Sequence, residues 1–446
     1  MSDLISSVSN FIWGVPLIVL IMGTGLLLTV RTRGIQFSKL KYALCLAFFK
    51  KTDDTAAGDI SNFKALMIAL AATVGTGNIV GAATAIVLGG PGAMVWMWLS
   101  ALVGMVTKYA EAVLAVKYRV TDVNGNMAGG PMYYLEIGLK QKWLGMLFAF
   151  FAIFASFGIG SGVQTNSMAK ALEAVFHVSP YLTGTVTGVL VFIIIIGGVQ
   201  SVGSVAAAFV PAMILFYAGA AVYGLATHYE LIPHAFGVII SGAFSAQAFA
   251  GGMAGAAIRY GVARGIFSNE AGLGSAPIAA AAAKTQHPCQ QALVSMTQTF
   301  LDTIVVCSMT GFLLVIGDEY ASGMNGAELT SFTFDKLLGK YGGVVVALSL
   351  VTFAFSTVLG WSYYGERSAY YLFGKKGLLP YKICFVICAT LGAFATNLDM
   401  VWNLSDIFNG LMAVPNLIGI LGLSGVVVSE TNQYLASLKE SQAEAA

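Results

Sequence analysis

Long apolar runs, separated by short polar connections, follow one another along almost the whole chain. A hydrocarbon core of about 30 Å takes roughly 20 helical residues. On that length the runs read as spans near 12–30, 65–88, 92–116, 144–172, 183–198, 205–226, 238–258, 291–316, 342–364, 382–397 and 405–428. They are continuous rather than alternating residue by residue, which predicts helices and excludes a transmembrane β-barrel. The chain is therefore expected to be an all-α polytopic membrane protein with 11 transmembrane helices. The first run lacks a basic leader and is followed by Arg31, Arg33, Lys39 and Lys41, so it reads as a retained span and not a signal peptide. Between the first two spans, residues 36–51 interleave Phe37, Leu40, Tyr42 and Phe48 with lysines, the pattern of a helix lying on the membrane surface. Residues 265–285, with capping-type residues and then an alanine run, predict a short cytoplasmic helical hairpin or a re-entrant loop.

Two membrane-length runs are interrupted by glycine. One carries Thr73-Val74-Gly75-Thr76-Gly77-Asn78-Ile79-Val80-Gly81 within 65–107, where no charged residue occurs; the other carries Phe249-Ala250-Gly251-Gly252-Met253-Ala254-Gly255 within 231–258, free of Asp, Glu, Lys and Arg. Glycine costs about 1 kcal/mol relative to alanine inside a helix, and unpaired backbone in hydrocarbon costs several more, so such clusters persist where broken backbone lines a cavity or binds something. With the first span set aside, the interruptions fall in the first and sixth of ten. Five is odd, so the second set enters from the opposite side and the two broken helices meet antiparallel, the plan by which secondary transporters build a midplane site. This divides the chain into an extra helix with its surface segment (1–63), a first repeat (64–228), a second (229–430) and a cytoplasmic tail (431–446) expected to fray.

Composition agrees: 57% hydrophobic residues, 10% charged and a mean hydropathy of +0.80 leave too little polar surface for a soluble globule. A net charge of +2 says little about partners; membrane lipid is expected and nucleic acid is not. The placement of charge says more. With the amino terminus outside, all but four of the 23 Lys and Arg fall in cytoplasmic connections, which predicts an external amino terminus and a cytoplasmic carboxyl terminus in the cell membrane. No cysteine falls in an outside loop and no Cys or His spacing suits a metal or redox centre. Nor is there a nucleophile, base or metal cluster of the kind an enzyme needs.

The glycines at 75, 77 and 81 have no βαβ context, so they are not a dinucleotide fingerprint. Gly77 and Gly81 also suit close helix packing, but Asn78 and two threonines in the same turn point to a binding site. A helix broken there exposes amides at the start of its second half, where an anion is favoured, and carbonyls at the end of its first, where a cation is favoured. Such a break holds both ends of a zwitterion. Ser356 and Thr357 place two hydroxyls in apolar surroundings; they suit a hard cation or bonds back to their own helix. Asp302, midway along its span, suggests cation coordination, proton coupling or a structural hydrogen bond. Lys108 with Glu111, and Lys170 with Glu173, read as structural pairs near span ends. Arg259 and Arg264, placed at the cytoplasmic end of the second broken helix near Glu270, and Glu366 with Arg367 suit either an inner gate or interfacial anchors.

On Gly75-Thr76-Gly77-Asn78-Ile79-Val80-Gly81, Phe249-Ala250-Gly251-Gly252, the run from Arg264 through Phe267-Ser268-Asn269-Glu270-Ala271-Gly272-Leu273-Gly274-Ser275 to Ile278, and Trp361-Ser362-Tyr363-Tyr364-Gly365-Glu366-Arg367, the whole chain resembles the alanine or glycine:cation symporters of the amino acid-polyamine-organocation superfamily. The resemblance implies the leucine-transporter type of five-plus-five inverted repeat, with one extra N-terminal helix. It also implies sodium-coupled uptake of alanine and glycine by alternating access, with no organic cofactor. Proton-coupled carriage through Asp302 is the alternative. Matching Val74-Gly75-Thr76-Gly77-Asn78 to the leucine-transporter motif gives the substrate carboxylate to the amides of Thr76 and Gly77 and its ammonium to the carbonyl of Thr73. One sodium ion falls to the carbonyls of Ala71, Val74 and Phe353 and the hydroxyls of Ser356 and Thr357. Trp361 would wall the pocket against side chains larger than methyl. Phe244, Gln247, Phe249 and Gly251 are candidates from the second broken helix, Gln164 from the third span of the ten, and Asn78 with Asp302 for a second ion whose hydroxyl partner the sequence does not identify.

Overall fold

The computed structural model describes residues 2–50, 53, 55–244, 253–396 and 399–444. Its helices, in chain order, are α1 (Ser7–Arg31), α2 (Asn62–Thr73), α3 (Gly77–Gly89), α4 (Ala93–Lys117), α5 (Lys142–Phe176), α6 (Pro180–Ile196), α7 (Gly198–Thr227), α8 (Ile232–Phe244), α9 (Met253–Asn269), α10 (Pro277–Ala281), α11 (Pro288–Gly317), α12 (Gly326–Leu338), α13 (Gly342–Phe373), α14 (Leu378–Phe394), α15 (Asp399–Gly422) and α16 (Ser424–Glu444). Among the described residues, seven helical stretches are long and apolar enough to cross a membrane, and α2 with α3, bent by 52°, makes an eighth. One of the seven, Gly342–Phe394, holds both α13 and α14, joined by a tight turn at Gly374–Gly377. The surface segment forms two short helices, Ile35–Ser38 and Leu40–Phe48. A small hairpin, β1 (Val120–Thr121) with β2 (Met127–Ala128), follows α4.

The first interruption lies where the sequence puts it. Ser61 caps α2 by accepting from the Lys64 amide, and at Val74 the backbone leaves the helix with ψ 90°. The second interruption, expected at 249–255, falls mostly outside the described residues, as do Gln247, Phe249 and Gly251; of the expected span over 238–258 the structure describes the end of α8 and the start of α9. A methyl group on Gly92 would lie 2.3 Å from Gly242, and one on Gly89 3.2 Å from the Ala256 carbonyl, so both flanking helices stand level with the turn between α3 and α4. From there α9 descends beside α4. Added methyl groups on Gly261, Gly265 and Gly104 would meet the Ala93 carbonyl at 2.4 Å, Ser100 Oγ at 2.5 Å and Ala271 at 2.8 Å, which marks a step-by-step close approach. Level with Gly104, midway along α4, the chain unwinds.

Glu270 (φ 58°), Gly272 (φ 87°) and Gly274 (φ 83°) take left-handed backbone that helices cannot contain. α10 then resumes, and Asp59, Ile60 and Lys284 join the following strand-like segment to the start of α2. The expected cytoplasmic hairpin over 265–285 is thus replaced by the second discontinuity. The reason is physical: the glycines at 272 and 274 follow Ala271, which packs against Gly104 at the middle of α4, so this segment lies at mid-depth and not at a membrane face. Arg259 and Arg264 move accordingly to the half of α9 beside Ala93–Ser100, away from the hairpin face. The tail also differs, since α16 is a 21-residue helix whose Glu430 pairs with Lys117 and stands 3.8 Å from His287.

Candidate functional site

At the first break, five groups proposed for one ion converge. The Ser356 hydroxyl stands 3.2 Å from the Ala71 carbonyl, 3.5 Å from that of Val74 and 2.8 Å from that of Phe353, while Thr357 Oγ1 donates to Phe353 at 3.0 Å. Bonding back to their own helix and convergence on α2 therefore coexist. Glycines permit the approach. A methyl group on Gly360 would lie 2.7 Å from the Ala72 amide nitrogen, and one on Gly75 2.4 Å from Thr357 Oγ1. Gln164 also faces this point, its Oε1 3.6 Å from where that Gly75 methyl would be. It follows a π-turn in α5, donates through Nε2 to the Ile159 carbonyl at 3.0 Å, and keeps Oε1 buried without a partner.

Thr73 folds its hydroxyl back on Ala69 (2.9 Å), and Thr76 buries an unpartnered hydroxyl. Gly77 lies against Ser268, where a methyl group would reach its Cα at 3.0 Å; helix packing is one of its roles. Asn78 is engaged on both sides. Its Oδ1 accepts from the Gly75 amide at 2.9 Å, and its Nδ2 donates to Asp302 Oδ1 at 2.7 Å. Asp302, in a π-turn of α11, accepts through Oδ2 from Ser268 and Thr303, each at 2.8 Å. Ser268 and Thr303 thus bring to Asp302 hydroxyls that the sequence did not pair with it. Phe244 does not join the site: it is 51% exposed and packs on Trp96.

The second break supplies groups that sequence reasoning missed. Trp361, 2% exposed, donates its indole N–H to Glu270 Oε1 at 2.8 Å. The other Glu270 oxygen accepts from Ser275. Glu111 Oε1 accepts from the Gly274 amide (3.2 Å) and from Asn416 (2.7 Å), and Asn416 also holds the Gly272 carbonyl (2.8 Å) and accepts from Tyr134. Lys108 and Glu111 are therefore interior groups, not a pair at a span end. Lys108 is 1% exposed and its charged neighbours are Glu111, Glu270 and Asp302. The signal was present in the sequence as an acid followed by two closely spaced glycines, Glu270-Ala271-Gly272-Leu273-Gly274.

The two faces differ. On the hairpin side, Arg367 pairs with Asp122 at 3.0 Å in a buried contact, Glu366 stands 3.5 Å from Arg367, and Lys382 stands 3.3 Å from Glu366. Burial would raise the Asp122 carboxyl, but the Asn126 amide and Arg367 hold it below the ordinary carboxylate value. Arg259 and Arg264 take no part there. Arg259 donates to Asn10, and both line a small cavity of about 70 Å³ with Trp13 and Asp406. Near Val80, one turn beyond Thr76, a larger cavity of about 510 Å³ is lined by Asn166, Lys170, Glu328 and Trp402. Lys170 is thereby a cavity-lining cation.

Comparison with known proteins bears on the family and the fold. The model of the sodium:alanine symporter family matches residues 1–446. The sodium/alanine symporter AgcS of Methanococcus maripaludis is 56% identical over 440 residues, 97% of each chain. A probable sodium/glutamine symporter, GlnT of Bacillus subtilis, is 37% identical over 98% of this chain and 92% of its own. Among solved structures, MhsT in complex with L-phenylalanine superposes with a TM-score of 0.57 at 14% identity, covering 85% of this chain and 99% of that one. A manganese transporter from Eremococcus coleocola gives 0.51 at 12%, over 85% and 83%. These two likenesses speak to the fold.

Proposed function

Because the chain belongs to the sodium:alanine symporter family, we propose that it carries alanine and glycine into the cell together with sodium by alternating access. It is a multi-pass membrane transporter and not an enzyme. Sodium takes the carbonyls of Ala71, Val74 and Phe353 with the hydroxyls of Ser356 and Thr357, an all-oxygen set suited to a hard cation. The substrate carboxylate takes the Thr76 and Gly77 amides, and its ammonium takes the Thr73 carbonyl, with the unpartnered Gln164 Oε1 as a further acceptor. Trp361 walls the side chain.

The observation that carries this reading is the meeting of Ser356 Oγ with the Ala71 and Val74 carbonyls, which joins α13 to the end of α2. An ion there ties the two helices, and closing the site around substrate precedes opening of the other path. The buried Arg367–Asp122 contact supports closure on the hairpin side, and the cavity near Val80 supports entry from the opposite one. We read eleven spans, one extra helix followed by two inverted repeats of five, with an external amino terminus and a cytoplasmic carboxyl terminus. Placing Arg259 and Arg264 on the outer half of α9 weakens the charge asymmetry without reversing it. One sodium ion crossing about 100 mV contributes roughly 2.3 kcal/mol, and a tenfold gradient adds about 1.4.

The test is binding of alanine, glycine and leucine to the purified protein in sodium and in choline. Sodium-dependent binding of the two small amino acids without leucine is expected. Binding indifferent to sodium would sink the ion assignment, and leucine binding would sink the narrow pocket.

A further inference from the structure

The oxygen groups on the two sides of the first break are arranged differently toward a mobile cation. Around Ser356, three backbone carbonyls from two helices point at one place with no fixed charge near them on the same helices. Around Asp302 the groups satisfy one another. Both carboxylate oxygens accept hydrogen bonds, from Asn78 on one side and from Ser268 and Thr303 on the other. Asn78 turns its donor, not its oxygen, toward the acid, because Oδ1 is held by the Gly75 amide. The Ser268 and Thr303 hydroxyls likewise present hydrogen to the acid. A cation entering here would have to reverse an amide and reorient two hydroxyls.

A cation is already built in. Lys108 is 1% exposed and, among the described residues, carries the buried ammonium that has no hydrogen-bond partner. Its charged neighbours are Glu111, Glu270 and Asp302, from α4, the second break and α11. One Glu111 oxygen is likewise buried without a partner. Isolated charge at this depth is costly, whereas a cation among several acids on different elements is held by all of them at low dielectric.

We propose that Lys108 is a tethered cation that serves the Asp302 side of the site in place of a second mobile ion, so that one sodium ion accompanies each neutral amino acid. This rests on the sodium-coupled reading above. Lys108 touches neither substrate nor sodium in this account; it is a positioning residue for the acids at the second break.

The experiment is equilibrium accumulation of alanine in proteoliposomes clamped at zero potential, with the sodium gradient varied. For the wild-type protein a tenfold gradient is expected to raise the accumulation ratio tenfold; a hundredfold rise means two ions and overturns the proposal. Lys108→Met is expected to recruit a second ion, steepening the response toward a hundredfold and raising the Hill slope for sodium. Lys108→Arg keeps the tethered charge and is expected to stay at tenfold. A folded Lys108→Met protein that still responds tenfold overturns the proposal. If Lys108→Met does not fold, the wild-type exponent decides alone. An accumulation ratio that ignores sodium in every variant would instead sink the sodium-coupled reading on which this rests.

Discussion

On one side of Gly75 stand three carbonyls and two hydroxyls; on the other, three carboxylates, the amide side chains of Asn78 and Asn416, the hydroxyls of Ser268, Ser275 and Thr303, and an ammonium. Both groups sit in the interior of an apolar bundle, and both are drawn together by a broken helix. The first is rich in acceptors and carries no formal charge, so it tolerates being empty and gains when a cation arrives. The second carries its own charges and is costly to disturb in any state. The difference separates a place that can exchange an ion with solvent from one that fixes the geometry around it. The neutral group joins α2 to α13, helices that would move relative to one another under the alternating access proposed above, while the charged group links α4, α11, α15 and the second break into one network.

The widest separation between the two groups is expected from stability measurements. Asp302→Ala removes one acid from around Lys108 and strips Asn78, Ser268 and Thr303 of their acceptor. Removing one member of a buried charged group costs about 3–5 kcal/mol, so unfolding in detergent should occur at clearly lower denaturant or temperature, in sodium and in choline alike. Ser356→Ala combined with Thr357→Ala should behave in the opposite way. In choline its stability should stay close to wild type. In sodium, wild type should gain about 2.7 kcal/mol at a hundred times its Kd, and the double variant should lose most of that gain. Charge-assisted contacts of about 1.5–3 kcal/mol each imply sodium binding at least about tenfold weaker. An Asp302→Ala protein stabilised normally in choline, or a double variant with an ordinary sodium response, would break the distinction.

Much of the neutral group was legible in the sequence. A glycine cluster in an uncharged run marks a break by its local cost, and Ser356-Thr357 are conspicuous among Phe353, Phe355 and Val358. Their meeting followed from a motif match. The discontinuity after Asn269 was not anticipated, because its acid and capping-type residues read as a cytoplasmic hairpin or re-entrant loop. Hydropathy alone cannot tell a turn at the membrane face from an unwound segment at mid-depth. That depends on where α9 begins against Gly89 and Gly92, a tertiary fact. Glu270 misled for the same reason, since a charged residue reads as interfacial until its partners are known. Its hydrogen-bond partners are Ser275, five residues on, and the Trp361 indole, distant along the chain in an apolar helix, while Lys108, the cation whose field it shares, is hidden in another. Asn416 and Tyr134 gave no sequence signal, because single polar residues in spans are common and only the fold brings them to Glu111.

Trp361 offers the finest test, because it lies one turn along α13 from Thr357 yet bonds to the charged side through Glu270. Trp361→Phe keeps an aromatic wall packed near Gly160, where a methyl group would stand only 2.4 Å from the Trp361 Cβ. It removes the donor to Glu270 and leaves a buried carboxylate oxygen short of a partner, a cost of about 1–3 kcal/mol. If the two groups act separately, that cost should appear as alanine affinity reduced by up to about tenfold, with the sodium concentration for half-maximal binding unchanged and leucine still excluded. Titration of alanine at saturating sodium, and of sodium at saturating alanine, distinguishes the outcomes. A shift in sodium affinity as large as the shift in alanine affinity would mean that α13 transmits disturbance from the charged group to the neutral one, and the separation between them would not hold.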